Sequence, residues 1–307
     1  METNYFNSMT SAYASITSVG GGKVIELLSG YDGSAETYPV TLGLKPGGSS
    51  IFNIIIRPAL GVSITLTQSS SDYLFILSGA EYVVFDGRAG GTGTSRNFTI
   101  QNTGTGGCIK FTNASNNIIR YCDIQSNPFT EGVISFIESG SGHNSNTVTE
   151  NKIGRYGSVY TTAPTNVIYS YVNSGLGNNC RYNTVTNNEI HDFKRNGVLI
   201  TGSASNGDYW TINANSVYAE RIDNADSDIS GIRVEKGMGH LINDNFIGGQ
   251  SANCGTGYWD IQSAGSPFYG IYFNQPNVPA DITSILNNKI QRIKYTGTSF
   301  TGIYTGQ

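Results

Sequence analysis

The chain has 307 residues, 39 of them Gly, with only 13% charged residues and a net charge of −4. So few charges exclude a coiled coil or helical bundle, and apolar residues this numerous and regularly placed exclude a disordered chain. Eighteen Lys and Arg are too few for the dense basic face that nucleic acid demands, and no apolar run approaches the roughly 18 residues of a membrane span.

In chain order, the first pattern is Ser8 to Ile16, which lacks Gly and Pro and sets Met9, Ala12, Tyr13 and Ile16 on one helical face. It predicts a short amphipathic helix covering the open end of a repeat structure, with residues 1–22 as cap and entry and 23–307 as the repeat domain. Strands are expected at Lys23 to Leu28, Ser50 to Ile56, Ser63 to Thr67, Tyr73 to Leu77, Tyr82 to Phe85 and Asn97 to Ile100.

From residue 107 two kinds of strand alternate. Six segments of the first kind align without gaps: Asn117 to Ile124, Asn146 to Ile153, Asn183 to Ile190, Trp210 to Val217, His240 to Ile247 and Thr283 to Ile290. Each ends on Ile or Val and carries a β-branched apolar residue five positions earlier. Two positions before the end stands Cys122, then Asn151, Asn188, Asn215, Asn245 and Asn288. Strands of the second kind begin at Gly107, Gly132, Asn166, Gly197, Gly231, Gly270 and Gly302. Short strands recurring at roughly 30 residues predict an all-β solenoid in which each coil stacks on the last, about ten coils and about 45–50 Å long. The Asn column is expected to be a buried structural ladder, each amide bonding its own turn and the Asn one coil away. The last strand ends at Gln307 without a cap, so the sequence is read as the N-terminal part of a longer protein whose further domains adjoin it, or as one that stacks end to end. No signal peptide is visible at the N-terminus.

Cys108, Cys122, Cys180 and Cys254 show no metal spacing. Cys180 and Cys254, both in predicted turns, are the pair expected to bridge if any does. His143 reads as turn punctuation. His240 fills the column of Asn146, Asn183 and Trp210 and so reads as structural, while the charges of Glu189 to Arg195, His191 and Lys194 among them, read as a solvated turn.

The best catalytic cluster is Arg233, Glu235 and Lys236, because strand alternation turns Ile232 and Val234 inward and Arg233 and Glu235 outward. With Asp226 and Asp228 of the preceding acidic loop, Glu235 makes a candidate calcium set, and Arg233 a contact for an acidic sugar. No other cofactor is expected. The plainer reading of this cluster is a solvated Arg–Glu pair, and it is favoured. A carbohydrate-binding face is drawn from Tyr169, Tyr171, Tyr272 and Tyr304 on the second kind of strand. Tyr258 and Trp259 join it from the long Gly248 to Phe268 insertion, where specificity is expected. Ordinary cross-strand stacking is the competing account of the same rings.

The helix from Phe6 to Ile16 with Lys23 to Leu28, the stretch Tyr82 to Gly87, the Asn-x-Val-x-x-Asn-x-Ile repeat of Asn146 to Ile153 and the turn ending at Phe193 together resemble a known group. It is the right-handed parallel β-helix domains of the pectate-lyase-like superfamily, and within it the β-helix regions of secreted or cell-surface Bacteroidetes proteins exported by type IX secretion. The resemblance implies the fold and a secreted or cell-surface location. It does not settle an activity, since the superfamily holds lyases, hydrolases and adhesins. The Asp/Asp/Glu calcium set of pectate lyases and the Asn-Thr-Asp and Gly-His-Gly motifs of polygalacturonases are absent. The chain is therefore read as a non-catalytic, adhesin-like extracellular segment that presents a polysaccharide-binding face. The alternatives are a polysaccharide lyase or glycoside hydrolase acting on an acidic glycan, and a purely structural stalk.

Overall fold

The computed structural model describes residues 4–128, 130–137, 142–158, 162–172, 180–202, 207–220, 223–225, 227–263, 265–274 and 281–306. Behind a helix at Met9–Ser15, capped by the Ser8 side chain, the chain winds into three parallel sheets of nine, eight and nine strands. One coil runs from Ile118–Arg120 in the first sheet to Cys122–Gln125 in the second and Gly132–Ile137 in the third. The next coil then re-enters the first sheet at Thr147–Thr149. This is a right-handed parallel β-helix. It has nine coils among the described residues rather than ten, so the axis spans about 38 Å. The helix buries Met9, Ala12 and Tyr13 against the first coil.

The six aligned segments stack in the register their sequences imply. Ile119, Val148, Val185, Ile212 and Ile242 pair in sequence and are fully buried. The second set needs a correction. Gly132 pairs with Asn166, and Asn166 with Asn196 rather than Gly197. The inward residues Ile134, Ile168, Val198 and Ile232 decide this register, because a slip by one would turn each of them to solvent.

Between the first and second sheets the chain turns through one left-handed residue per coil. Tyr121, Glu150, Asn187, Ala214, Asp244 and Asn287 have φ between 53° and 60°. The residue that follows then points inward, and there the Asn ladder forms. Asn151 N and Nδ2 donate to Asn188 Oδ1 at 3.0 and 3.1 Å, and Asn151 Nδ2 also donates to Ile119 O at 2.9 Å. The pattern repeats through Asn215 and Asn245 to Asn288. Cys122 opens the column by donating its amide to Asn151 Oδ1. Ala214 lacks the side-chain polarity that eases the left-handed conformation. Ala214→Asn, which installs the residue found at 187 and 287, is expected to stabilise the protein by about 0.5–1 kcal/mol. A rise in the urea midpoint at unchanged slope would show it.

A second ladder lines the corner between the third and first sheets. Asn117 N donates to Asn146 Oδ1, and Asn146 N to Asn183 Oδ1, each at 3.0 Å. Two coils later His240 does the same task. Its Nδ1 accepts from Trp210 N at 3.3 Å, and its Nε2 lies 3.0 Å from Lys236 O as donor. His143 is not turn punctuation: it is buried against Phe136, and among the described residues neither ring nitrogen has a hydrogen-bond partner. His191 and Asp192 are not solvated either. They are buried with Arg155, whose guanidinium lies 3.3 Å from Asp192 Oδ2. The Cys180–Cys254 bridge is not made, and all four cysteines are buried thiols. The two lie on different corners of the solenoid. Cys180 O receives Trp210 Nε1, while Cys254 sits by Lys289 of the second sheet.

The stretch from Tyr82 to Gly87 closes the early coils. Asp86 is buried and accepts from Arg88 at 2.7 Å and Arg120 at 2.8 Å. At Gly87 a Cβ would fall 1.8 Å from Tyr121 O, so the coils can approach there only without a side chain.

Candidate functional site

On the outer face of the third sheet one column of side chains runs from coil to coil. Lys110, Ser135, Tyr169, Leu199, Arg233, Tyr272 and Tyr304 are successive partners. Residues on either side of Arg233 point inward, and Ile232 and Val234 are fully buried. An open groove of about 400 Å³ lies across this face. Its lining includes Tyr169, Asn166, Asn196, Thr201, Arg195, Arg233 and Glu235.

Arg233 and Glu235 do project together. Arg233 Nε donates to Glu235 Oε1 at 2.6 Å, and Thr201 Oγ1 donates to Glu235 Oε2 at 2.6 Å. Burial pushes the Glu235 carboxyl up, but these two bonds and the Arg233 charge outweigh it and hold it below the usual carboxylate range. Lys236 lies beyond the end of the strand, and its carbonyl receives His240. Asp226 lies outside the described residues, and Asp228 is 3.9 Å from Arg233 Nη1. Asp228 and Glu235 thus both face the Arg233 guanidinium.

Tyr272 and Tyr304 stack on one another at the end of this column. Tyr272 lies between the Arg233 guanidinium, 4.1 Å from its ring centre, and the Tyr304 ring at 4.9 Å and 13°. Both faces of Tyr272 are therefore covered. Tyr169 and Tyr171 stand side by side at 6.4 Å. Burial pushes the Tyr169 hydroxyl up to about 12, so it is protonated at neutral pH. Tyr258 is 61% exposed. Trp259, expected beside it, is wholly buried between Phe193 and Phe268. It starts the strand Trp259–Ser263 of a small sheet built on the second-to-third-sheet connections, so part of the long insertion is core rather than a binding loop.

Arg195, Asn166, Asn196 and Thr201 are not among the site residues that the sequence suggests. Asn196 Nδ2 donates to Asn166 Oδ1 at 2.7 Å. The one signal for this pair was their matching place in the repeat, which the misaligned register hid. His191, Asp192 and Glu220 bring three ligand atoms within 4.8 Å. Arg155 already occupies Asp192, and Lys152 occupies Glu220 at 2.9 Å, which makes this an ion-pair network.

No protein-family model matches the chain, and no curated protein matches it. Among solved structures, a PL6 family polysaccharide lyase from Pseudopedobacter saltans is similar at 10% identity and a TM-score of 0.31, covering 94% of this chain and 91% of that one. Among the described residues no helix is long and apolar enough to cross a membrane.

Proposed function

We propose that the chain is a binding module for an anionic polysaccharide, held in the groove of the third sheet without being cleaved. The observation that carries this reading is the groove's lining: Arg195 and Arg233 against one carboxylate, Glu235, with the amides of Asn166 and Asn196 and the hydroxyls of Tyr169 and Thr201 beside them. A guanidinium fork recognises a uronate or sulfate in two-point fashion, while amides and hydroxyls match sugar hydroxyls. Among the described residues that line the groove, Glu235 is engaged on both oxygens and Tyr169 is protonated, which favours binding over cleavage. A secreted or cell-surface location, with the solenoid as a stiff support, belongs to the same proposal.

The test is retention and cleavage on a panel of acidic and neutral polysaccharides. Acidic polymers should be retained, with affinity falling as salt rises. Arg233→Ala should weaken them about tenfold or more. Appearance of unsaturated, ultraviolet-absorbing sugar products would replace this reading with a lyase. Equal behaviour of acidic and neutral polymers would remove it.

A further inference from the structure

The two guanidinium groups of the groove are not equivalent. Arg195 is exposed in the groove, and among the described residues it makes no ion pair. Arg233 is half-buried and already engaged. Its Nε donates to Glu235 Oε1 at 2.6 Å, Asp228 Oδ2 lies 3.9 Å from its Nη1, and the Tyr272 ring covers one face at 4.1 Å. Lys236 also acts on the Glu235 carboxylate, so the charges at this end balance: Arg233 and Lys236 against Asp228 and Glu235.

The strand register sets how far apart the two arginines stand. Arg195 lies four residues before Leu199, and Leu199 pairs with Arg233 one coil on. At about 3.3 Å per residue and about 4.8 Å per coil, their backbones are about 14 Å apart, mostly along the strand direction. Between them lies Leu199, an aliphatic side chain in a lining of amides, hydroxyls and charged groups.

The two ends therefore select differently. A carboxylate or sulfate at Arg195 gains a two-point, charge-assisted contact with no internal partner to displace. The same group at Arg233 would have to share the guanidinium with Glu235, and it finds no net charge to bind. A neutral sugar finds there a donor and an acceptor side by side, the remaining N–H groups of Arg233 and the remaining lone pairs of Glu235.

We infer that Glu235 is a specificity-determining residue of the groove. By neutralising Arg233 it confines the acidic group of the ligand to the Arg195 end and reserves the other end for a neutral sugar. The ligand is then a glycan whose acidic units are separated by neutral ones, rather than a homopolymer of uronate. This rests on the anionic-glycan reading of the groove and adds where the charge sits. The weakening expected for Arg233→Ala then comes from lost hydroxyl contacts and from the unpaired Glu235 carboxylate left beside the glycan.

Calorimetry on the whole chain compares two oligosaccharides of equal length. One is an oligogalacturonate, acidic at every unit, and the other the repeat unit of deacylated gellan, with a single glucuronate among neutral sugars. The wild type should bind the gellan unit about tenfold more tightly. Arg195→Gln, at an exposed position, should weaken that binding about tenfold and remove most of its salt dependence. Glu235→Gln keeps the size of the side chain and frees the Arg233 charge. It should raise the oligogalacturonate affinity about tenfold and so erase the preference. Arg195→Gln keeps the test open if Glu235→Gln fails to fold. Equal wild-type affinities, tighter binding of the oligogalacturonate, a preference that survives Glu235→Gln, or gellan binding unchanged by Arg195→Gln would each overturn the role of Glu235 and leave the anionic reading standing. Binding of neither oligosaccharide would overturn both.

Discussion

Asn215→Ala is expected to lower stability by about 4 kcal/mol, the largest loss anticipated for one uncharged side chain in this protein. Asn215 Oδ1 accepts from both Asn188 N and Asn188 Nδ2 at 3.0 Å, and Asn215 Nδ2 donates to Val185 O at 2.8 Å and to Asn245 Oδ1 at 3.0 Å. All of these groups are buried, so truncation leaves two donors and two acceptors short of a partner where water does not reach. Asn215→Asp should cost about as much at neutral pH. A carboxylate can accept from Asn188, but it can donate to neither Val185 O nor Asn245 Oδ1, and it brings a charge into the core. Asn288→Ala, at the half-buried end of the ladder, should cost nearer 1 kcal/mol. Urea titrations of the three variants measure this. A loss for Asn215→Ala as small as that of Asn288→Ala, about 1 kcal/mol, would mean that the ladder contributes little to stability.

The second large effect is a loss of stability in mild acid. Burial pushes the imidazole of His143 down to about 3 and that of His240 down to about 4, against about 6.5 in an unfolded chain. Both are therefore neutral in the fold, and below pH 6.5 the unfolded chain binds protons that the folded one does not. Stability is full above pH 6.5 and falls as pH drops toward the folded values, at about 1.4 kcal/mol per pH unit for each histidine. Together they should remove roughly 5 kcal/mol by pH 4.5. The carboxylates held low in the fold, Asp86, Asp192, Glu189 and Glu235, work in a separate window. Their stabilisation is complete above the unfolded carboxylate values near 4 and is lost only as pH falls below them. The variant His143→Leu with His240→Asn, the second a ladder residue in a ladder position, should flatten the profile between pH 6.5 and 4.5 and leave the steeper loss below it. An unchanged slope in that range would assign the acid sensitivity to other groups.

Much of this architecture is legible in one dimension because a solenoid repeats its environment. An inward position in one coil is inward in the next, so Ile119, Val148, Val185, Ile212 and Ile242 announce a column, and the Asn series announces a ladder. Alternation within a strand is equally local, which is why Arg233 and Glu235 are correctly turned outward together. The same reasoning misplaced Gly197. Gly132 and Gly197 look equivalent by residue type, while the register obeys the buried neighbours Ile134 and Val198. Trp259 read as a ligand residue because aromatic rings in a long insertion look exposed in sequence. Only the small added sheet shows that its ring fills the space between Phe193 and Phe268.

What the sequence determined by itself is the winding: parallel strands, inward β-branched columns, the Asn ladder and an amphipathic helix over the first coil. Each of these follows from a period set by the backbone and by the cost of exposing apolar side chains. What only the tertiary structure decided is which outward side chains meet. Thr130, Asn166, Asn196 and Arg233 come from successive coils joined by connections of unequal length, and nothing in those connections records where each side chain will stand. Their meeting in one trench follows from hydrogen bonding between neighbouring strands, which brings residues about 30 positions apart to within about 5 Å.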